Sequence, residues 1–225
     1  MNDVVYFVKE SPSNEELRYS LRSVEKNFPH NKVWIYGGKP NDIHPDEYVW
    51  RRQVGMKWER VRNMLRTACM NNAITEDFWL FNDDFFILKR IENPENHYYK
   101  TLEEHADEIE RRNGSSLYTM RLRELAGLLR QEGFETKNYA VHMPMLINRK
   151  KMAEVLDKYP RTPMFRALYG NYWNIGGTER ADVKVRTTSL ESTSAEMISS
   201  SDLTWIRPVG EFVRSKFRTP SRFEG

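Results

Sequence analysis

The chain predicts an α/β fold with a mostly parallel central sheet, and three observations carry that prediction. Short runs of β-branched and aromatic residues alternate with stretches of helical periodicity through the first half of the sequence. Strand, helix and strand follow one another within residues 4 to 36, the spacing of a βαβ unit with parallel pairing. The residues with chemical potential then fall just after those runs, where open parallel sheets place their ligands.

Val4-Val5-Tyr6-Phe7-Val8 reads as a first buried strand. Ser13 followed by Glu16 predicts a capping-box start, and Leu17, Leu21, Val24 and Phe28 recur at helical spacing. A helix over 14 to 28 follows, stopped by Pro29. Val33 to Tyr36 is the second strand, ended by Gly37-Gly38. Val61, Leu65 and Ala68 mark a helix over 57 to 70, leading into a strand at 78 to 81. The second half is more helical. Thr101 with Glu104 opens one helix, and a second spans Leu117 to Gln131 with Gly133 closing it. Tyr139 to His142 reads as a short strand, Met145 to Ile147 as extended, and Met152 to Tyr159 as helix. Asp182 to Val185 reads as a late strand.

At 225 residues, with 39% hydrophobic and 12% aromatic content, one domain over 1–225 is expected, with 207–225 as a basic, partly ordered wrap or arm. No apolar run approaches a membrane span, and no secretory signal pattern opens the chain, so a cytoplasmic location is expected. The lone Cys69 excludes an internal disulfide and reads as packing. Net charge is +3 from 35 basic and 32 acidic residues, too balanced to announce nucleic-acid binding. Two basic clusters stand out: Arg51, Arg52, Lys57, Arg60, Arg62 and Arg66, and then the arginines and lysine of the tail. Either can hold phosphates, and a solvated helix face is the plain alternative.

Phe78-Trp79-Leu80-Phe81-Asn82-Asp83-Asp84-Phe85-Phe86 is the most informative segment. Buried apolar residues on both sides leave Asp83 and Asp84 to be desolvated, at a cost of several kcal/mol unless something repays it. A hard divalent cation is the usual remedy, and it often carries substrate phosphates on its open positions. A turn that simply ends the strand is the alternative. Consecutive strand side chains alternate faces, so the two acids can share a site only if the backbone turns there. His142, in His142-Met143-Pro144, suits proton transfer or nucleophilic attack, or else a hydrogen-bonded core position. His30, His44, His97 and His105 read as incidental. Arg121, Arg123 and Arg166 interrupt apolar stretches and suit phosphate recognition, although Arg123 can equally pair within its own helix. No P-loop, Rossmann fingerprint or zinc spacing occurs.

Three segments together resemble the Stealth family of hexose-1-phosphate transferases, in a compact form similar to phage-encoded glycosyltransferases. They are Asp3 to Tyr6 with the Glu16-Leu17-Arg18-Tyr19-Ser20-Leu21-Arg22-Ser23 stretch, the Asn82-Asp83-Asp84-Phe85-Phe86 box, and His142-Met143-Pro144. The resemblance implies a GT-A-like fold, a nucleotide-sugar donor (UDP-linked) and Mn²⁺ or Mg²⁺. It implies an acceptor hydroxyl on a polysaccharide, virion protein or modified DNA base, and no obligate protein partner. It places the metal on Asp83 and Asp84, catalysis on His142, Asp84 and Arg166, and a further phosphate-binding arginine at Arg121 or Arg123; Asp3, Arg18, Lys57, Asn63 and Asn82 are read beside these as substrate-binding residues. Two departures from the family pattern are the Phe7-Val8-Lys9-Glu10 continuation and the short span before the acidic box. On the residues alone, a metal-dependent nuclease or phosphatase and a non-catalytic binding protein stay open beside the transferase.

Overall fold

The computed structural model describes residues 1–187, 190 and 193–225. In chain order its elements are β1 (Asp3–Val8), α1 (Glu15–Asn27), β2 (Val33–Gly37), β3 (Glu47–Trp50), α2 (Lys57–Met70), β4 (Asp77–Phe81) and β5 (Phe85–Ile87). Then come β6 (His97–Tyr98), α3 (Leu102–Asn113), α4 (Leu117–Gln131), β7 (Met145–Asn148), α5 (Arg149–Lys158) and α6 (Phe165–Tyr172). The chain finishes with β8 (Thr178–Glu179), β9 (Met197–Ser199), α7 (Asp202–Ile206) and α8 (Val209–Lys216).

The main sheet runs β3-β2-β1-β4-β7. Its first four strands are parallel and β7 is antiparallel to β4. This is the mixed α/β class that the alternating pattern predicts. Both faces of the sheet are covered. Val5, Trp34, Tyr36, Phe78 and Leu80 pack into one core with residues of α2 to α6. Val4, Tyr6, Val8, Ile35, Trp79 and Phe81 pack into the other with Leu17, Leu21 and Val24 of α1. Burial on both sides is why these strands read as continuous apolar runs. The chain reaches β2 and β3 on one side of β1 and β4 on the other, so strand order reverses between β1 and β4. A crevice opens beyond the carboxyl ends at such a switch point.

α1 is tied to the segment that follows the acidic box. Its small polar side chains bond the backbone of β5: Ser20 Oγ donates to the Phe85 carbonyl at 2.6 Å, and Asn27 Nδ2 to that of Ile87 at 2.6 Å. Ser23 Oγ accepts from the Ile87 N–H at 3.0 Å. These residues recur at helical spacing along one stripe, which lets a helix serve a strand edge.

Several boundaries differ from expectation. Asn14, not Ser13, caps α1, its Oδ1 accepting the Leu17 N–H at 2.9 Å. Tyr139 to His142 is not a strand, because the His142 N–H goes to the Asp182 carboxylate at 3.0 Å instead of a neighbouring backbone. Asp182 to Val185 makes a single bridge, Lys184 to Ser199, in place of a strand. The edge strand β3 has no sequence forecast, since Tyr48 and Trp50 face solvent. The tail carries a helix: α8 buries Val209 and Val213 beneath Phe86 and Ile198, and Phe217 and Phe223 are buried after it. Cys69 is buried and its thiol is pushed up to about 12 by burial, which fits packing.

Candidate active site at the sheet switch point

A cleft of about 600 Å³ lies at the carboxyl ends of β1 and β4, within the size range of small-molecule sites. Phe7 and Lys9 continue β1 into it, and Leu80, Asn82, Asp83 and Asp84 continue β4. Between β4 and β5 the backbone turns at Asp83-Asp84, closed by the Phe85 N–H on the Asn82 carbonyl at 3.3 Å. The acidic pair is thus both the end of a strand and part of a cleft wall. The turn frees the two carboxylates from the alternation of a strand.

Each carboxylate is held separately. Asn14, while capping α1 through its oxygen, donates Nδ2 to Asp83 Oδ2 at 2.6 Å. Asp84 Oδ2 accepts from Lys184 Nζ and from Ser199 Oγ, both at 2.9 Å. Burial pushes the Asp83 carboxyl above its ordinary range against the Asn14 hydrogen bond, and the Asp84 charge adds to the rise. Glu16 joins them from the first turn of α1, accepting from Ser200 Oγ. Burial raises its carboxyl to about 7, opposed by Ser200 and reinforced by Asp83, Asp84 and Asp202.

His142 also lines the cleft. Its Nδ1 lies 2.8 Å from Asp182 Oδ2, and its backbone N–H reaches the same carboxylate. Burial opposes the Asp182 charge, but the His142 hydrogen bonds and charge, with Arg186 nearby, outweigh it and hold the carboxyl at about 2. In the neutral imidazole, an ionised carboxylate on Nδ1 makes that nitrogen the donor and leaves Nε2 to accept. Arg166 also lines the cleft, yet its terminal nitrogens donate to the Val141 and Met143 carbonyls on either side of His142. Its burial pulls the guanidinium down to about 10, with Asp182 and Asp84 opposing. Arg166 therefore clamps the histidine turn instead of projecting freely as a phosphate ligand.

Other expected site residues fall elsewhere. Asp3 is 1% exposed at the amino end of β1, the far edge of the sheet, accepting from Trp34 Nε1 at 2.9 Å and from Asn31, Lys32 and Thr75. Arg18 pairs with Asp42, and Arg123 forks between Asp107 and Glu110 of α3 at 2.6 Å. Arg121 and Asn63 are not among the residues that line the cleft; Asn63 is exposed on α2. Of the first basic cluster, Lys57 and Arg60 reach the cleft. Arg62 instead donates to the Leu156 carbonyl and Arg66 pairs with Asp157, binding α2 to α5.

Glu16, Asp182, Lys184 and Ser200 were not foreseen in the site. One signal existed: in an extended Asp182-Val183-Lys184, the acid and the lysine share a face. Glu16 was masked by its reading as a capping residue. With the cap at Asn14, it sits one position too early to cap and turns to the cleft.

The donor set admits Mg²⁺ or Mn²⁺. Such ions are held by one or two carboxylates and completed by substrate phosphates and water. Asp83 and Asp84 supply two, and the raised Asp83 carboxyl is a group that a cation would relieve. Among the described residues, no group of three or more His, Cys, Asp or Glu is placed to hold one ion.

Fold and cleft together define an α/β architecture with a polar cleft at a sheet switch point, lined by five basic side chains (Lys9, Lys57, Arg60, Arg166, Lys184) and four acids (Glu16, Asp83, Asp84, Asp202). No family model matches the chain, and no curated protein matches its sequence. Among solved structures it is similar to a 4-diphosphocytidyl-2C-methyl-D-erythritol synthase, with 11% identity and a TM-score of 0.42 over 80% of this chain and 88% of that one. It is similar to mouse xyloside xylosyltransferase 1, with 6% identity and a TM-score of 0.40 over 99% and 96%. A third is the glycosyltransferase GlyE of Streptococcus pneumoniae TIGR4, with 10% identity and a TM-score of 0.39 over 80% of this chain and 45% of that one. No helix among the described residues is long and apolar enough to cross a membrane.

Proposed function

We propose that the chain is a metal-dependent transferase of GT-A-like architecture, moving a sugar from a UDP-linked or similar nucleotide sugar to an acceptor hydroxyl. One observation carries this reading: the Asp83-Asp84 turn and the Asp182-oriented His142 line one cleft, surrounded by cations, at the switch point of the sheet. The Stealth resemblance supports it, since Asn82, Asp83 and Asp84 of the acidic box, His142 and Glu16 of the first segment line this cleft. Polysaccharide, protein and modified DNA remain the acceptor classes.

In this reading Lys9, Lys57, Arg60 and Lys184 neutralise the donor diphosphate, and the amino end of α2, where Lys57 sits, adds its dipole. Asp83 and Asp84 would hold the metal, which when bound offsets charge developing on the leaving diphosphate. His142 Nε2 takes the proton from the acceptor hydroxyl. The acceptor oxygen bonds the anomeric carbon, and the carbon–oxygen bond to the diphosphate breaks, its electron pair leaving with the nucleoside diphosphate. Asp182 holds the tautomer and stabilises the imidazolium, and Arg166 fixes the backbone on both sides of the histidine.

The test is a melting experiment. A nucleoside diphosphate at ~100 times Kd should stabilise the fold by about 2.7 kcal/mol, and only with Mn²⁺ or Mg²⁺ present. Asp84→Ala should abolish that gain while the ligand-free protein still folds. Equal stabilisation of the variant would place the donor elsewhere.

A further inference from the structure

The two carboxylates of the acidic turn are held by partners of different charge. Asp83 takes a neutral amide, that of Asn14. Asp84 takes an ammonium: Lys184 Nζ donates to Oδ2 at 2.9 Å, and Ser199 Oγ donates to the same oxygen. The side chains of Lys184 and Asp84 are only 18% and 17% exposed, so solvent and salt screen their attraction far less than that of a surface pair. Among the described residues, this is the one ion pair made by either acid of the turn.

The backbone that carries Lys184 is fixed. Lys184 bridges Ser199, with the Val185 N–H on the Ser199 carbonyl at 2.8 Å and the Ser199 N–H on the Val183 carbonyl at 3.0 Å. On the same segment, Asp182 holds His142. The ammonium ends a flexible four-carbon stem, so it can leave Asp84 while the bridge and the histidine stay in place. A divalent cation prefers carboxylate oxygens, and Lys184 already occupies one of them. Like charges repel strongly at such distances, so ammonium and cation compete for Asp84. A diphosphate shifts that balance, because its oxygens offer the displaced ammonium a new partner within the cleft that Lys184 lines.

We propose that Lys184 is a positioning residue that holds Asp84 while no cation is bound and passes to the diphosphate when cation and donor enter together. The inference rests on the transferase reading of the cleft and adds an order to it. The cation alone binds weakly, and each of the two ligands strengthens the other by the same factor.

Mn²⁺ titration of the full chain, followed by electron paramagnetic resonance without nucleotide, tests this with no need of turnover. Lys184→Met should bind Mn²⁺ about tenfold more tightly than the unaltered protein. Lys57→Met removes a cleft cation that bonds neither acid, and should gain far less. Calorimetry with uridine diphosphate at saturating Mn²⁺ should show the Lys184 variant binding it about tenfold more weakly. Circular dichroism checks folding. Lys184→Gln, which keeps a donor for Asp84 without the charge, should shift both affinities in the same directions and serves if the Met variant does not fold. Unchanged Mn²⁺ affinity in the Lys184 variants, an equal gain in Lys57→Met, or unchanged diphosphate affinity would overturn the proposal and leave the reading of the cleft standing. No Mn²⁺ bound by any of these proteins would remove that reading, and the proposal with it.

Discussion

Asp3 and Asp182 are both buried carboxylates with several donors, and they do different work. Asp3 accepts four hydrogen bonds at the amino end of the sheet, away from the cleft. Asp3→Ala should strand the Trp34 N–H and two backbone donors, costing about 2–4 kcal/mol in urea unfolding. Donor-dependent stabilisation of the folded fraction should be unchanged. Asp182 faces a cleft histidine. Asp182→Asn keeps the shape and loses the charge that selects the tautomer, so turnover should fall by ~10²-fold or more. A positioning role also predicts a displaced acid limb in the pH–rate profile with donor binding intact. A purely structural Asp182 would lower the melting temperature and leave turnover per folded molecule normal. Neither role was legible in sequence, because both aspartates depend on donors far away in the chain, Thr75 for one and His142 for the other.

α1 is the element that assembles the site. Its amino end presents Asn14 to Asp83 and Glu16 to Ser200, and its polar stripe holds the strand that follows the acidic turn. The helix itself was plain in the periodicity of Leu17, Leu21 and Val24. Its cap was misread by one residue, and that residue decides whether Glu16 serves the helix or the cleft. The consequence is testable through pH. The folded carboxyl of Glu16 stands at about 7, above the ordinary 4.5, so the folded state binds more protons in that interval. Stability is then greatest below about 4.5 as far as Glu16 is concerned, and is lost as pH rises through about 7. The raised Asp83 acts in the same direction. Glu16→Gln should flatten the fall of melting temperature between pH 5 and pH 8 and raise it at pH 8. A variant with the unaltered slope would show that Glu16 is not the titrating group.

At the scale of the molecule, the sheet order places β1 and β4 side by side with their chains departing in opposite directions, and the cleft is the gap this leaves. The tail closes the far side: Arg22 bonds Glu224 through two nitrogens at 2.7 and 2.5 Å, so the last residues are strapped to α1. Under the proposed function, the by-product decides whether a sugar or a sugar phosphate is transferred. Attack on the anomeric carbon releases a nucleoside diphosphate, and attack on phosphorus a monophosphate. The proposed attack on the anomeric carbon predicts diphosphate on mass analysis of the spent donor. Monophosphate alone would assign the chemistry implied by the larger Stealth proteins.

The sequence by itself determined the α/β class, the main helices, the buried strands and the placing of two adjacent carboxylates at the end of one of them. Those follow from local periodicity and from the cost of burying a carboxylate, both of which are written in neighbouring residues. Tertiary structure alone decided which cations meet those acids. Lys184 lies 100 residues from Asp84 and reaches it only because the late extended segment bridges Ser199. Arg18 and Arg123, also cations, were drawn to other carboxylates. A charged side chain goes to the nearest partner in space, and that distance does not exist until the chain has folded.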